Sequence, residues 1–369
     1  MIEGPASPLG TPRELGYRMP AEWEPHAATW IAWPHQHKDW PGKFASIPWT
    51  YVEIVRNLSV SERVEILVED PTGEQRARRA LITSGVDTER VHFHSVATDR
   101  SWTRDSGPTF VSRSEPPRVG AVHWQFNAWA KYEDWHLDRE VPAWISDHLA
   151  IPRWRPEVAG RWFVLEGGAI ETNGDGLLLA TEECLLSDVQ ARNPGLSRAT
   201  VESVLGSYLG IDQVIWLPRG IQGDDTHGHV DDVARFVEGN TLLLVATDDE
   251  RDADFSALRA CRAALEDARR PDGRRIEVRT LPAPRPVLHR RQRLPASYAN
   301  VYIANRTVLV PSFDDPHDSE ALDVIRRAFP ERTVVGVRSR DLVWGLGTIH
   351  CLTQQQPAGG PPDSAREPI

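Results

Sequence analysis

Residues 337–357 read VRSRDLVWGLGTIHCLTQQQP and form the most informative stretch of the chain. A strand-like run ends in a turn that contains Gly345 and Gly347, and a short apolar step then leads to His350 and Cys351. Two glycines within three residues let the backbone turn sharply and approach its neighbours closely. A thiol carried on such a turn can face a pocket, so Cys351 is a candidate nucleophile.

The other two cysteines have a different setting. Cys184 lies in ATEECLLSD and Cys261 in the helical pattern FSALRACRAALEDA, both among apolar neighbours and without a glycine turn. We expect both to be packing residues, because cysteine is among the most buried residue types. Three cysteines are an odd number in a long chain and do not indicate a disulfide scaffold, which favours a reducing compartment.

Composition and charge restrict the classes of protein to consider. The chain has 369 residues, of which 40% are hydrophobic and 26% charged, as in soluble globular proteins. A formal net charge of −11 argues against nucleic acid or an anionic membrane as a partner and favours a cationic ligand. The first residues lack a secretory signal pattern and no run of about 18 apolar residues occurs, so we expect a cytoplasmic protein.

The arrangement of strand and helix patterns predicts a mixed α/β fold. Residues 1–14 and 358–369 are rich in Pro, Gly and Ser and are predicted to be flexible, whereas no linker divides 15–357, which we expect to be one domain. Strands are predicted over 29–33, 64–68, 91–95, 108–111, 121–125, 177–180, 214–217, 242–246, 276–281, 300–310 and 333–337. Helices are predicted over 46–60, 72–84, 139–149, 187–191, 197–210, 252–269 and 318–328.

Several predicted strands are followed at once by a polar cluster. The clusters are WTRDSGPT, LEGGAIETN, GDDTHGHVDD, PSFDDPHD and GLGTIHC. No long-range sequence identity relates them, so we interpret them as one structural unit that is used several times. Strand ends that carry chemical groups would then converge on a central axis.

The densest polar cluster, residues 223–232, is open to three interpretations. On an extended backbone, alternate side chains share a face, so Asp225, His227, His229 and Asp231 would line one side together. That face would suit a metal ion, since histidines with nearby carboxylates are common ligands. It would equally suit acid–base chemistry, with His229 moving protons and Asp231 binding a cation or orienting the ring. The third interpretation is a turn rich in side-chain caps.

Two further stretches carry carboxylates. In residues 101–109, SWTRDSGPT, Asp105 precedes a Ser-Gly-Pro turn and Trp102 lies three residues earlier. A carboxylate beside an indole suits a flat cation, through hydrogen bonds in its plane and cation–π contact with its face. In LEGGA, paired glycines follow Glu166. A pocket with carboxylates, a tryptophan, a histidine and a thiol would suit a guanidinium group, whose central carbon is open to attack by sulfur.

The chain resembles the agmatine deiminases and the related Porphyromonas-type peptidylarginine deiminases, which belong to the guanidine-modifying pentein superfamily. The resemblance covers nearly the whole chain. It is carried in order by MPAEWEPHAATWIAWPH, WTRDSGPTF, FNAWAKY, LEGGAIETNGDGLLLATEECLL, RNPGLSR, GDDTHGHVDDVARF, ASYANVYIANRTVLVPSFDDPHDSEAL and IHCLTQQQP. It implies a five-bladed α/β propeller, with pseudo-fivefold ββαβ units around a central active site, and a single catalytic domain over 15–357.

The resemblance also implies roles for individual residues. Cys351 matches the nucleophile and His229 the general acid and base, while Asp105 and Asp231 match the carboxylates that hold the guanidinium. The resemblance further implies that Glu166 is an active-site acid, that Trp102 is a wall residue, that Asp225 lies near the distal end of the substrate, and that no cofactor or metal is needed. Many agmatine deiminases have Glu at the position of Asp225, and the turn 345–348 departs from their pattern, which bears on substrate length and the pocket rim.

The implied activity is the hydrolysis of agmatine to N-carbamoylputrescine and ammonia through a covalent thiouronium on the cysteine. Deimination of peptidylarginine or free arginine is the alternative within the same chemistry, and Arg104 is the nearest candidate anchor for a substrate carboxylate, although on a strand it would oppose Asp105. A metal-dependent hydrolase that uses His227, His229 and Asp231 and a non-catalytic guanidinium-binding module remain open. A homo-oligomer is a further expectation, because members of this family often assemble.

Overall fold

The computed structural model describes residues 8–270 and 273–358 of the chain. Parts of the predicted flexible ends, residues 1–7 and 359–369, lie outside the described residues. Within 8–14, the side chain of Arg13 donates a hydrogen bond to Ile211 O at 2.7 Å and pairs with Asp212 at 2.5 Å. The limits of the single domain, 15–357, remain a prediction.

Strands and helices alternate along the described chain. The strands are β1 (His26–Ala32), β2 (Arg63–Val68), β3 (Val91–Ser95), β4 (Thr109–Ser112), β5 (Val119–Val122), β6 (Arg153–Trp154), β7 (Glu157–Val158), β8 (Arg161–Trp162), β9 (Glu171–Thr172), β10 (Leu177–Thr181), β11 (Gln213–Leu217), β12 (Ala234–Glu238), β13 (Thr241–Ala246), β14 (Glu277–Pro282), β15 (Leu288–His289), β16 (Gln292–Arg293), β17 (Tyr302–Ile303), β18 (Thr307–Ser312), β19 (Thr333–Arg338) and β20 (Gln354–Pro357). The helices are α1 (Ile47–Leu58), α2 (Pro71–Thr83), α3 (Thr103–Ser106), α4 (Val141–His148), α5 (Glu182–Leu185), α6 (Arg198–Leu209), α7 (Phe255–Asp267), α8 (Asp318–Ala328) and α9 (Ile349–Leu352). Short 3-10 helices cover Phe44–Ser46, Ala128–Ala130, Asp138–Glu140, Gly167–Ala169, Val230–Asp232 and Leu342–Gly345.

One pairing pattern recurs in five sheets of the described residues. Their strand orders are β20-β1-β2-β3, β4-β5-β6, β9-β10-β11, β12-β13-β14 and β17-β18-β19. In each sheet a central strand pairs antiparallel with one neighbour and parallel with the other, as β18 does with β17 and β19. The mixed α/β fold predicted from the sequence is confirmed.

Helices connect the parallel strand pairs. Parallel neighbours need a long crossover connection. In the first sheet α1 links β1 to β2 and α2 links β2 to β3, and in the other four sheets α4, α6, α7 and α8 link the two parallel strands. Each helix turns apolar residues inward; α7, for example, buries Leu258, Cys261 and Leu265. Cys184 lies in another apolar cluster, so both cysteines expected to be packing residues are in hydrophobic cores. No helix of the described residues is long and apolar enough to cross a bilayer.

Two of the predicted elements are wrong in detail. The short helix predicted over 187–191 is absent from the described chain there, and the helix is instead α5, which begins where the Thr181 side chain accepts a hydrogen bond from Cys184 N at 3.0 Å. The single strand predicted over 300–310 is two antiparallel strands, β17 and β18, separated by a turn. In both cases local turn chemistry outweighs an apolar pattern.

The stretch 337–357 closes the fold. Its last strand, β20, pairs antiparallel with β1, so the ends of the described chain share one sheet. The positive φ of the glycine turn falls on Leu346, at 68°, rather than on its glycines. Gly345 and Gly347 are needed for space, because a Cβ atom would lie 2.5 Å from Trp40 Nε1 and 2.8 Å from Trp102 Cζ3, respectively.

Candidate active site

A cavity of about 650 Å³ gathers residues that are far apart in the sequence. Four of the predicted site residues line it, namely Trp102, Asp105, Asp225 and Cys351. The other three, Glu166, His229 and Asp231, are buried behind this lining. The strand ends and the short helices α3 and α9 that carry these residues therefore meet at one place.

Cys351 presents its sulfur to the cavity. It lies on α9, directly after the glycine turn, and is 7% exposed. Its Sγ is 3.2 Å from Asn300 Nδ2 and 3.9 Å from Asp231 Oδ2. Gly347 leaves room for the sulfur, since a Cβ there would lie 3.2 Å from Sγ. The thiol is thus placed beside a carboxylate and an amide at the wall of a cavity.

Asp231 is held by a chain of buried side chains. Its Oδ2 lies 2.6 Å from His350 Nδ1, and His350 Nε2 lies 2.8 Å from Glu22 Oε2. Glu22 is also 3.2 Å from Arg104 Nη2 and 3.0 Å from Arg235 Nη2. Asp231 Oδ1 is buried and has no hydrogen-bond partner among the described residues. One oxygen is therefore fixed while the other is free to receive a donor.

Asp105 is positioned by a backbone amide and by an indole. It lies on α3, and its Oδ1 accepts a hydrogen bond from Gly168 N at 3.0 Å while Oδ2 accepts one from Trp129 Nε1 at 2.9 Å. The prediction that Arg104 lies on a strand is wrong, because it lies on α3. Its side chain points away from the cavity, to Glu22 and to Gln355 Oε1, which is 2.7 Å away. It is part of the internal charge network rather than an anchor in the cavity.

His229 lies between two carboxylates. Its Nδ1 is 3.8 Å from Asp105 Oδ1 and its Nε2 is 3.4 Å from Glu166 Oε2. Glu166 is itself paired with Arg192, whose Nε lies 3.1 Å from Oε1. Gly168 allows this packing, because a Cβ there would lie 2.5 Å from His229 Nδ1. That ring nitrogen is buried and makes no hydrogen bond to the described part of the chain.

Residues 223–232 are not extended, so their alternate side chains do not share a face. His227 has a φ of 64°, its Nε2 lies 3.5 Å from Ser187 Oγ, and it is not among the residues that line the cavity with Cys351. Asp224 accepts hydrogen bonds from Gly228 N at 2.7 Å and His229 N at 2.9 Å, which is the capped turn of the third interpretation. Asp231 follows in a 3-10 helix. The side chains of His227 and His229 therefore do not lie on one face.

The structure therefore does not favour the alternative of a metal site formed by His227, His229 and Asp231. Within 8–270 and 273–358, the potential ligand atoms that come together belong to Glu166, Cys184 and His229. Glu166 already carries the guanidinium of Arg192, which occupies the position where a cation would bind. Burial raises the pKa of the Cys184 thiol, which disfavours the thiolate that a metal requires. This group serves to hold His229.

Asp225 lies at the mouth of the cavity with its charge compensated. Its carboxylate accepts hydrogen bonds from Lys131 Nζ and Tyr132 OH. Other charged residues of the rim are paired as well, such as Arg100 with Asp39 at 2.6 Å and with Asp134 at 2.8 Å. Burial raises the pKa of Asp39 to about 6 despite this arginine. The acidic groups of the rim are thus paired with cationic side chains, and a cationic ligand would have to displace these side chains to reach a carboxylate.

Comparison with known proteins agrees with this geometry. The sequence profile of the family described as Porphyromonas-type peptidyl-arginine deiminase matches residues 18–357. The chain belongs to this family. It is 39% identical to the agmatine deiminase of Stutzerimonas stutzeri, over 94% of this chain and 97% of that protein. It is 37% identical to the agmatine deiminase of Ectopseudomonas mendocina, again over 94% of this chain and 97% of that protein.

Solved structures show the same relationship. The agmatine deiminase of Enterococcus faecalis superposes with a TM-score of 0.86 at 31% identity, covering 95% of this chain and 99% of that one. The C. jejuni agmatine deiminase with substrate bound superposes with a TM-score of 0.82 at 27% identity, covering 94% and 97%. The fold of this family member is therefore that of its solved relatives over nearly its full described length.

The electrostatics of the site follow from burial among carboxylates. Burial and the charges of Asp231, Asp232 and Asp105 raise the pKa of Cys351 well above its usual value. Burial opposes protonation of His229, but Asp105 and Glu166 outweigh it and raise the pKa of that ring to about 9. The free site thus contains a protonated thiol and an imidazolium at neutral pH.

The pKa values of Asp105 and Asp231 are shifted in opposite directions. Burial works to raise the pKa of both, and for Asp105 the neighbouring Asp231 and Glu166 add to it, so that pKa is raised. For Asp231 the hydrogen bond and charge of His350 outweigh burial, and its pKa is lowered. Asp231 is therefore ionised at neutral pH because of a residue that lies next to the cysteine in the sequence.

Sequence reasoning missed several residues that build the site, and they share one property. Each acts through a partner distant in the chain, as His350 does with Glu22 and Asn300 with Cys351. The missed residues are Glu22, Trp129, Arg192, Arg235, Asn300 and His350. All six lie within the motifs that carry the resemblance, and these motifs were the only sequence signal available for them.

The raised thiol pKa predicts slow alkylation of Cys351 near neutral pH. The rate of modification by iodoacetamide, followed by mass spectrometry of the Cys351 peptide, should still be rising at about pH 9, beyond the range of a free thiol with a pKa of about 8.5. Asp231→Asn should move the profile to lower pH, because it removes a neighbouring negative charge. The buried Cys184 and Cys261 are internal controls and should stay unmodified in the native protein. A plateau below about pH 8 would contradict this account.

Removal of the Glu22 charge should destabilise the protein. Glu22→Gln leaves Arg104 and His350 buried without their carboxylate, which should lower the free energy of unfolding in urea by about 3–5 kcal/mol. The pKa of Glu22 is lowered because Arg235, His350 and Arg104 outweigh burial, so the difference from wild type should be full above about pH 4.5 and shrink as the pH falls. Glu24→Gln is the matched control, since that ion pair with Arg18 is partly exposed and should contribute only about 0–1 kcal/mol.

Proposed function

We propose that the protein is an agmatine deiminase, which hydrolyses agmatine to N-carbamoylputrescine and ammonia. The observation that carries the proposal is the position of Cys351, which lines the same cavity as Asp105 and whose Sγ lies 3.9 Å from Asp231 Oδ2. Two polar atoms buried behind the lining, Asp231 Oδ1 and His229 Nδ1, have no hydrogen-bond partner in the described chain. The relatives named agmatine deiminases support the choice of this activity within the family.

A guanidinium group would complete the charge balance of the cavity. In our proposal the donors of the planar group bind the free oxygen of Asp231 on one side and the carboxylate of Asp105 on the other. Trp102 forms a wall against which the flat cation can pack. The central carbon then faces Cys351 Sγ, which is the arrangement that nucleophilic attack requires.

The substrate itself would help to ionise the nucleophile. Carboxylates raise the pKa of the free thiol, so the positive charge of a bound guanidinium should lower that pKa when it neutralises Asp105 and Asp231. The thiol proton passes to solvent when the cation binds, and the resulting Cys351 thiolate forms the C–S bond to the guanidinium carbon, giving a tetrahedral adduct. His229, which carries a proton at neutral pH because of its raised pKa, donates it to the leaving nitrogen, and ammonia departs.

The second half of the reaction hydrolyses the thiouronium that remains on Cys351. His229, now neutral, accepts a proton from water, and the hydroxide oxygen adds to the same carbon. As the C–S bond breaks, the hydroxyl proton of this second adduct passes to solvent and the carbamoyl product leaves, after which the released thiolate takes up a proton from solvent. Glu166, paired with Arg192, keeps the imidazole oriented through its contact with Nε2. His350 and Glu22 act as positioning residues, because they touch Asp231 rather than the substrate.

The rim favours agmatine over arginine as the substrate. The distal end of agmatine is an ammonium, and Asp225 lies at the cavity mouth to receive it. Arg104, the anchor considered for a substrate carboxylate, is committed to Glu22 and Gln355 beneath the site. Lys131 now occupies Asp225, so the substrate ammonium would have to replace it.

The larger architecture is part of the proposal. The five sheets with one shared pairing pattern support a propeller of five ββαβ units around the cavity, formed by one catalytic domain over 15–357. We also propose a cytoplasmic homo-oligomer that acts on a small cationic guanidino substrate without a cofactor and binds neither nucleic acid nor membrane. The acidic net charge of −11 supports the last point.

An ammonia-release assay tests the activity. Agmatine should give a larger kcat/KM than free arginine or a peptide with a C-terminal arginine. Cys351→Ser and treatment with iodoacetamide should abolish turnover, whereas Cys261→Ser, a buried cysteine outside the site, and a chelator should leave it intact. Inactivation by the chelator with indifference to alkylation would instead indicate a metal hydrolase. Binding of agmatine without ammonia release would indicate a binding module.

Asp225 and Lys131 are paired at the rim, and their substitutions should have opposite effects on KM for agmatine. Asp225→Asn should raise KM about tenfold or more with a smaller change in kcat, because a hydrogen bond to a charged group contributes about 1.5–3 kcal/mol. Lys131→Ala should lower KM, since it removes the competing cation. Asp134→Asn, a rim carboxylate paired with Lys38 and Arg100, is the matched control and should change KM less. Equal effects of the two aspartate changes would exclude a specific role for Asp225.

A further inference from the structure

A second cavity, of about 580 Å³, shares no lining residue with the candidate active site. Four arginines line it, Arg139, Arg153, Arg155 and Arg161, together with a single acidic residue among those described there, Glu140. The chain as a whole has a net charge of −11, so this concentration of positive charge runs against its composition. The volume is within the range of roughly 300–1,000 Å³ that is usual for small-molecule sites.

Two of the four arginines are already occupied. Arg139 pairs with Glu140 at 2.8 Å. Arg153 donates hydrogen bonds to Ala143 O at 2.8 Å and to Asp147 Oδ1 at 3.2 Å. These two side chains form the fixed part of the wall, and part of their charge is compensated.

The other two arginines are available for a ligand. The side chains of Arg155 and Arg161 form neither an ion pair nor a hydrogen bond with any residue in 8–270 and 273–358. Arg155 is nevertheless held in place, because its guanidinium lies 3.7 Å from the centre of the Trp162 ring. Trp162 is fixed in turn by the hydrogen bond from its Nε1 to His123 O, 3.0 Å long. The result is an oriented guanidinium whose donors have no protein acceptor.

The neighbouring polar groups fit an anion rather than a cation. Burial lowers the pKa of His123 to about 4, and the positive charges of Arg153 and Arg155 contribute to this shift. The ring is therefore neutral at neutral pH, and its Nε2 lies 2.8 Å from Arg139 O. Gln125 also lines the cavity with a buried amide oxygen that lacks a partner among the described residues, and rotation of this amide by half a turn would present its NH₂ group.

We propose that this cavity binds a small polyvalent oxyanion, with Arg155 and Arg161 as its principal ligands. Guanidinium groups present pairs of parallel donors that match the oxygens of phosphate and carboxylate groups. Two unpaired arginines favour a ligand with at least two negative charges. Pyrophosphate, phosphate esters and tricarboxylates share this chemistry. The site is separate from the deiminase site and does not depend on the proposed reaction.

Isothermal titration calorimetry at constant ionic strength tests the proposal, with pyrophosphate and citrate as the probes. The wild-type protein should bind one equivalent of at least one probe, and the stronger of the two shows whether phosphate or carboxylate groups are preferred. Arg155→Ala/Arg161→Ala should weaken that binding at least tenfold. Both side chains are exposed, so the double variant is expected to fold, and Arg155→Gln/Arg161→Gln retains the length of the stems as a second variant.

Arg76→Ala/Arg79→Ala is the matched control, because it removes the same charge from the surface of α2. It should leave the dissociation constant of the probe unchanged. Equal weakening in the control would show general attraction of anions to arginines and would overturn the proposal. The absence of saturable binding of both probes to the wild-type protein, or binding that survives in both Arg155/Arg161 variants, would overturn it as well.

Discussion

The structure depends on one constraint: acidic side chains are buried around a thiol and must be held apart, oriented and partly neutralised. Burial of unpaired charge is costly, and a buried carboxylate is tolerated only with a cation or several hydrogen bonds. Asp231 has His350, Glu166 has Arg192, and Asp105 has the Gly168 amide and the Trp129 indole. The remaining deficit of positive charge lies in the cavity itself. A cationic substrate would supply it and would at the same time favour ionisation of the nucleophile.

The internal charge network connects the buried carboxylates of the site to distant parts of the chain. Glu22 contacts His350, Arg104 and Arg235, and Arg235 also pairs with Glu171 at 2.9 Å. Residues near the start, the middle and the end of the described chain are thereby joined beneath the cavity. Because β20 pairs with β1, the same joining occurs in the backbone. The position of Asp231 relative to Cys351 is thus set by contacts that involve most of the fold.

The sequence predicted those features that local chemistry decides. The glycine turn before Cys351, the packing role of Cys261 and the start of α6 at Ser197, whose side chain accepts from Thr200 N at 3.2 Å, could be read from neighbouring residues. The positions of His227 and His229 could not be predicted in this way. The hydrogen bonds that Asp224 accepts and the positive φ at His227 break the extended backbone, so the two side chains do not share a face. The partners of Asp231 and Glu166 could not be predicted either, since no local pattern pairs residue 231 with residue 350 or residue 166 with residue 192.

The central claim is that Cys351 attacks the carbon of a guanidinium held between Asp105 and Asp231. Its most direct test is rapid acid quenching of the protein during turnover of agmatine, followed by mass spectrometry of the peptide that contains Cys351. The account predicts a transient increase equal to the mass of agmatine less ammonia, located on that sulfur and absent in Cys351→Ser. Sustained ammonia release while Cys351 remains unmodified at every quench time, or an adduct on a different residue, would contradict it.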